Sequence, residues 1–224
     1  MKNNIIETNV TSSSPFRGGR EGLLIKICGM KYSENIRAVA TLHPDFMGFI
    51  FYPKSPRYAE PLDLKTLEEI PLTIKKIGVF VNEDLENILT IVFKYKLDGV
   101  QLHGTELVEM CSKLRDAGLI VIKAFPVAEA YNFKVTKAYD GACDYFLFDT
   151  KADIYGGSGA KFSWTILSEY KGETPFLLSG GIAADDAEAI LKIKHPKFAG
   201  VDLNSKFEIS PGLKDVELLK KFSP

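Results

Sequence analysis

The chain has 224 residues, is 46% hydrophobic and 25% charged, and carries a formal net charge of −1. That is ordinary globular composition; near-neutrality offers no global field for nucleic acid or an anionic membrane surface, and no run approaches the ~18 apolar residues of a membrane span. Three scattered cysteines without a secretory leader pattern, and only three histidines, argue for free thiols in a reducing cytoplasm and leave little to build a zinc site from.

Residues 1–22, MKNNIIETNVTSSSPFRGGREG, are polar, rich in Asn, Ser, Thr and Gly, and lack apolar periodicity, which predicts a disordered tail ahead of one domain spanning 23–224. From Leu23 onward short apolar runs recur in the order LLIKIC, FMGFIF, KKIGVFV, GVQLH, LIVIKAF, DYFLFD, PFLLS and FAGVDL. Near-continuous apolar runs suit parallel strands covered on both faces. Between them lie segments of helical spacing. Residues 85–95 place Leu85, Ile88, Leu89, Val92 and Tyr95 on one face, and residues 105–116 do so with Leu107, Met110, Cys111 and Leu114. Ser33 and Thr105 are the expected N-caps of their helices. Eight strand–helix units, starting roughly every 25 residues, predict a single α/β (β/α)8 barrel. A doubly wound open sheet is the alternative, weakened by the lack of a Gly-x-Gly-x-x-Gly after the first strand.

Enzymes of this architecture gather their chemistry at the C-terminal ends of the strands. Strand 1 ends in Cys28, which is either a packed core thiol or a base activated by a positive neighbour; Lys26 shares its strand face. Cys111 and Cys143 read as core residues. Strand 2 leads into a Pro-punctuated loop carrying Lys54 and Arg57, and a planar guanidinium there suits a carboxylate. Strand 4 ends at His103. Lys123 on strand 5, if it faces inward, is a candidate Schiff-base nucleophile, or else a partner for Asp202 or Asp149. Strand 6 ends in Asp149, a carboxyl beside an apolar run and a candidate general acid on the far side of the mouth from Cys28. The following Gly156-Gly157-Ser158-Gly159 reads as a mobile loop, either a lid over the site or an ordinary flexible connection. Gly180-Gly181 after strand 7, and Asp202, Asn204 and Ser205 at the end of strand 8, offer backbone N–H groups and hydroxyls where such barrels hold phosphate.

From about Leu24 to its end the chain resembles the phosphoribosylanthranilate isomerase family. The resemblance is carried by Lys26-Ile27-Cys28-Gly29, Gly48 to Tyr58, Gly78 to Asn82, Val100 to Gly104, Asp149-Thr150 with Gly156 to Gly159, Ser179-Gly180-Gly181, and Pro211-Gly212 with Lys214-Asp215. It implies an Amadori rearrangement of N-(5-phosphoribosyl)anthranilate to 1-(o-carboxyphenylamino)-1-deoxyribulose 5-phosphate without metal or cofactor. By the same resemblance Cys28 is the general base, Asp149 the general acid, and Arg57 the holder of the anthranilate carboxylate; Gly180-Gly181 and Asn204-Ser205 hold the phosphate, with His103, Gly156, Gly157 and Asp202 lining the substrate site. Three positions depart from the family pattern. Lys206 stands where a glycine is usual, so it either strains the phosphate loop or adds a cation to it; Ala160 and Ser163 replace a basic residue and Asp or Asn. A small phosphorylated molecule is therefore the expected partner, with no nucleic acid or membrane, and a monomer is expected rather than a homodimer. The rival functions are a Schiff-base lyase acting through Lys123 and a phosphate-ligand barrel without turnover.

Overall fold

The computed structural model describes residues 22–128, 130–150 and 164–222. The expected tail, apart from Gly22, and the glycine loop with Gly156, Gly157, Ala160 and Ser163 lie outside the described residues.

Eight parallel strands close into one barrel in sequence order: β1 (Leu24–Cys28), β2 (Phe46–Ile50), β3 (Lys75–Phe80), β4 (Gly99–Leu102), β5 (Ile120–Val127), β6 (Tyr145–Thr150), β7 (Phe176–Ser179) and β8 (Phe198–Leu203). Closure comes from β1 pairing β8 as well as β2, with Lys26 opposite Asp202 and Cys28 opposite Gly48. Each strand falls within two residues of its apolar run in the sequence.

Alternation along the strands makes two apolar layers. Phe46, Ile77, Ile122, Ala124, Leu147 and Leu177 fill the barrel interior. The opposite parity, including Ile25, Ile27, Met47, Phe49, Val100, Phe146, Phe148 and Val201, packs outward against the helical layer. The interior filling lies toward the N-terminal ends of the strands, which leaves polar side chains to occupy the C-terminal mouth.

The helical layer is less regular than expected. Helices α1 (Ser33–Ala40), α2 (Leu64–Glu68), α3 (Leu85–Tyr95), α4 (Val108–Asp116), α5 (Ala187–Leu191) and α6 (Val216–Lys221) follow β1, β2, β3, β4, β7 and β8. After β5 and β6 the described residues hold 3-10 turns instead, at Phe133–Tyr139 and Trp164–Glu169. The caps also differ. Tyr32 precedes α1 without a side-chain cap and Ser33 is already helical. Thr105 lies two residues short of the Leu107 cap of α4, and both its N–H and its hydroxyl are given to Asn82 Oδ1. The capping work falls to Asp63, Asp84 and Asp215, whose carboxylates accept from backbone N–H groups at the starts of α2, α3 and α6. On α3, Ile88 and Tyr95 are buried while Leu89 is exposed, so the apolar face is narrower than its spacing predicted; on α4, Cys111 and Leu114 are buried and Leu107 is exposed. No helix among the described residues is long and apolar enough to cross a membrane.

An antiparallel hairpin, β9 (Glu208–Ser210) and β10 (Leu213–Lys214), follows β8 and has no counterpart among the expected strands. Pro211-Gly212 makes its turn, with Gly212 at φ +85°. The hairpin matters because it delivers Glu208 and Lys214 to the mouth of the barrel.

Candidate active site

Nine of the expected site residues line one cavity of about 210 Å³ at the C-terminal mouth: Cys28, Arg57, His103, Asp149, Gly180, Gly181, Asp202, Asn204 and Ser205. Gln101 and Ser179 join them. Gly156 and Gly157 lie outside the described residues.

Cys28 is the last residue of β1 and faces inward, only 3% exposed. Two positions earlier on the same face, Lys26 is fully buried and donates to Asp202 Oδ1 across the β1–β8 seam at 3.0 Å. Opposite Cys28 stands Gly48. A Cβ there would lie 2.8 Å from Cys28 Sγ and 3.1 Å from Lys26 Nζ. Thiol and ammonium therefore share the space that any side chain at position 48 would fill. Burial pushes the Cys28 thiol above its ordinary range, and Lys26 pulls in the opposite direction. Burial alone would lower Lys26, but Asp202 and Cys28 more than offset it and keep the ammonium charged.

Asp149 comes from the inward face near the end of β6, one-fifth exposed, with Oδ2 3.4 Å from His103 Nε2. His103 follows β4, and its Nδ1 lies 2.8 Å from Gln101 Nε2. If that amide donates to Nδ1, the ring proton sits on Nε2, toward Asp149. Gln101 Oε1 is buried without a partner among the described residues. The mouth thus holds a thiol beside a buried ammonium on β1 and a one-fifth exposed carboxyl beside an imidazole on β6 and β4. Cys28, Asp149, His103 and Asp202 all line the same cavity.

Arg57 reaches the cavity from the loop after β2, but its guanidinium is already engaged by Glu208 of the β9–β10 hairpin, with Nη2 2.7 Å from Oε2. Lys214, fully buried, bridges Glu208 Oε1 at 2.6 Å and Asn204 Oδ1 at 2.7 Å. Glu208 and Lys214 were not singled out as site residues from the residues alone. Their signal was the Pro-Gly turn flanked by two short runs after strand 8, a hairpin pattern. At the other side of the mouth Gly180 has φ +101°, and a Cβ there would collide with the backbone of Thr150, so only glycine fits. Lys206 does not occupy a left-handed conformation; it lies exposed in the 3-10 turn Ser205–Phe207, so the strain expected from the missing glycine does not arise.

Lys123 corrects an expectation. Its neighbours Ile122 and Ala124 point into the barrel, so Lys123 faces out toward the helical layer. Its Nζ donates to the carbonyls of Leu102, Gly104 and Ala124 and lies 3.2 Å from Glu106 Oε2. The partner is neither Asp202 nor Asp149, and the amine does not reach the cavity.

The profile of the N-(5'-phosphoribosyl)anthranilate (PRA) isomerase family matches residues 25–223. The chain belongs to that family. The isomerase of Parabacteroides distasonis is 52% identical over 202 residues, covering 89% of this chain and 91% of that protein. The isomerase of Phocaeicola vulgatus is 49% identical over 193 residues, covering 86% and 92%. Among solved structures, the phosphoribosyl anthranilate isomerase of Thermotoga maritima superimposes with a TM-score of 0.77 at 36% identity, covering 89% of this chain and 96% of that one. A second isomerase structure, at 33% identity and a TM-score of 0.76 with the same coverage, is a complex with reduced 1-(o-carboxyphenylamino)-1-deoxyribulose 5-phosphate. The chain is accordingly a phosphoribosylanthranilate isomerase of tryptophan biosynthesis, and the lyase reading through Lys123 falls with that residue's orientation.

Proposed function

We propose that this isomerase works by a Cys28/Asp149 acid–base pair. The observation that carries the reading is that a strand-end thiol on β1 and a strand-end carboxyl on β6 line the same cavity from different sides. Asp149 protonates the furanose ring oxygen; the ring C–O bond breaks and the aryl nitrogen's lone pair forms the C=N bond of a Schiff base. Cys28 as thiolate takes the proton from C2, giving an enolamine. Protonation at C1 and loss of the enol proton yield the amino-ketose, so the step is an isomerisation with no net gain or loss of atoms. One group must begin protonated and the other deprotonated; the Lys26 ammonium beside Cys28 favours its thiolate, in opposition to burial.

Arg57 receives the anthranilate carboxylate. Gly180-Gly181 and Ser205 present N–H and hydroxyl donors to the phosphate, a reading supported by the glycine-only geometry at Gly180. His103 and Asp202 line the sugar between them. A monomeric working unit is the expectation, testable by light scattering; the free thiols Cys28, Cys111 and Cys143 support a reducing, cytoplasmic setting.

The test is an isomerase assay following loss of anthranilate fluorescence, with substrate generated in situ. Cys28→Ala and Asp149→Asn are each expected to lower kcat by about 10²- to 10⁴-fold, the range of positioned proton transfer, while melting like the parent. A folded Cys28→Ala protein with undiminished kcat would return that thiol to the core.

A further inference from the structure

Arg57 enters the cavity with its guanidinium already clamped. Its Nε donates to both oxygens of Glu208, at 2.9 and 3.0 Å, and its Nη2 donates to Oε2 at 2.7 Å. One edge of the donor fork is therefore taken by the protein. Among the described residues Nη1 makes no hydrogen bond, and Arg57 lines the cavity. A guanidinium is planar with five fixed N–H donors. Holding the Nε–Nη2 edge dictates where the Nη1 end points.

The clamp is itself held. Glu208 is 4% exposed against 21% for Arg57. Its Oε1 also accepts from Lys214 Nζ at 2.6 Å and from the Gly212 N–H at 3.1 Å. Burial would push this carboxyl up, but the hydrogen bonds from Arg57 and Lys214 outweigh it and keep it ionised. The stem of Arg57 passes over Gly29, where a Cβ would lie 2.8 Å from Arg57 Cδ. The cluster of Arg57, Lys214 and Glu208 keeps one positive charge in excess, beside the pocket that receives an anionic aryl amine.

We propose that Glu208 is the positioning residue that makes Arg57 selective for a carboxylated aryl amine. This rests on the reading of Arg57 as the carboxylate site. A free arginine loses much of its rotamer freedom when it binds an anion; here that loss is made at folding, so the Nη1 end meets the substrate already oriented. The alternative function for Glu208 is to neutralise the cluster. The two functions predict opposite signs when its charge is removed. A neutral residue at position 208 frees the guanidinium to swing and weakens carboxylate recognition if orientation matters. It strengthens attraction for the carboxylate if charge alone matters.

The experiment compares two substrates, N-(5-phosphoribosyl)anthranilate and its aniline counterpart without the carboxylate, each formed by condensing ribose 5-phosphate with the aryl amine. The quantity read is the ratio of their kcat/KM values in the full chain. Arg57→Ala should collapse the ratio; if it does not, the reading of Arg57 fails and the role of Glu208 falls with it. With that control in place, Glu208→Gln should lower the ratio about tenfold or more, through a KM raised more for the carboxylated substrate than for the aniline one. An unchanged or higher ratio overturns the proposal while leaving Arg57 in its place. Should Glu208→Gln fail to fold, Glu208→Asp keeps the charge but shortens the reach by one methylene. It should shift the ratio the same way, and an unchanged ratio there is equally fatal.

Discussion

Two lysines, Lys26 on β1 and Lys123 on β5, are buried in the same barrel wall, each against a carboxylate, and they do different things. Lys26 faces inward, pairs with Asp202 and shares its space with the Cys28 thiol. Lys123 faces outward, pairs with Glu106 and gathers three backbone carbonyls. Glu106 in turn accepts from the N–H groups of Asn82 and Gly104, so the outer pair ties the ends of β3 and β4 together. The inner ammonium has a cavity-lining thiol as its neighbour, whereas the outer one is saturated by structure. Side-chain parity along a strand, not residue type, separates the two roles.

The largest effects should come from removing each ammonium. Lys123→Met strands a buried carboxylate and should cost about 3–5 kcal/mol in urea unfolding, yet the protein that remains folded should keep its kcat within about twofold. Lys26→Met should also destabilise, but its mark is chemical: alkylation of Cys28 by iodoacetamide should slow at pH 8 along with kcat/KM. A folded Lys123→Met enzyme with a lost kcat, or a Lys26→Met enzyme with unaltered alkylation, would erase the distinction.

Gly48→Ala probes the inner side by crowding alone. The added methyl meets Sγ and Nζ, and displacing a reacting group by about an ångström can cost ~10²-fold, so kcat should drop by up to that amount with little change in KM. Full activity in that variant would mean that thiol and ammonium are free to move apart.

The thiol's titration is a smaller, graded test. Burial raises the Cys28 pKa in the fold. In the free enzyme its alkylation should keep accelerating beyond pH ~8.5, where an ordinary thiol begins to level off. The linkage has a definite sign. A group whose folded pKa is raised holds its proton more tightly in the fold, so its contribution to stability is complete below the unfolded thiol's pKa and is lost as pH climbs through the folded value. Cys28→Ser should therefore flatten the alkaline loss of stability; an identical alkaline limb in both proteins would contradict it. Smallest of all, Lys206→Gly should change KM by less than about twofold, since an exposed lysine in a 3-10 turn relieves no strain when replaced, and inhibition by inorganic phosphate should move as little.

Eight apolar runs, spaced as strands and bounded by polar residues and glycines, were enough to read a closed barrel, and polar residues collected at one end of those runs were enough to nominate Cys28, Asp149 and Arg57. Periodicity reports local geometry, and parallel strands carry it strongly because both of their faces are buried. The 3-10 turns after β5 and β6 were not legible, because short segments such as Phe133–Tyr139 have too few turns for a period to register. Ser33 and Thr105 have the residue type of a cap, which is a weak guide to which residue starts a helix; Thr105 instead donates its N–H and hydroxyl to Asn82 Oδ1. Only the folded barrel decided which way Lys123 points, that Lys26 meets Asp202 176 residues away, and that Glu208 clamps Arg57 across a separation of 151. Those pairings join residues with no local signal in common. They exist because closing the barrel brings β8 and its hairpin against β1 and the loop after β2, and long-range juxtaposition of that kind is a property of topology, which local pattern does not encode.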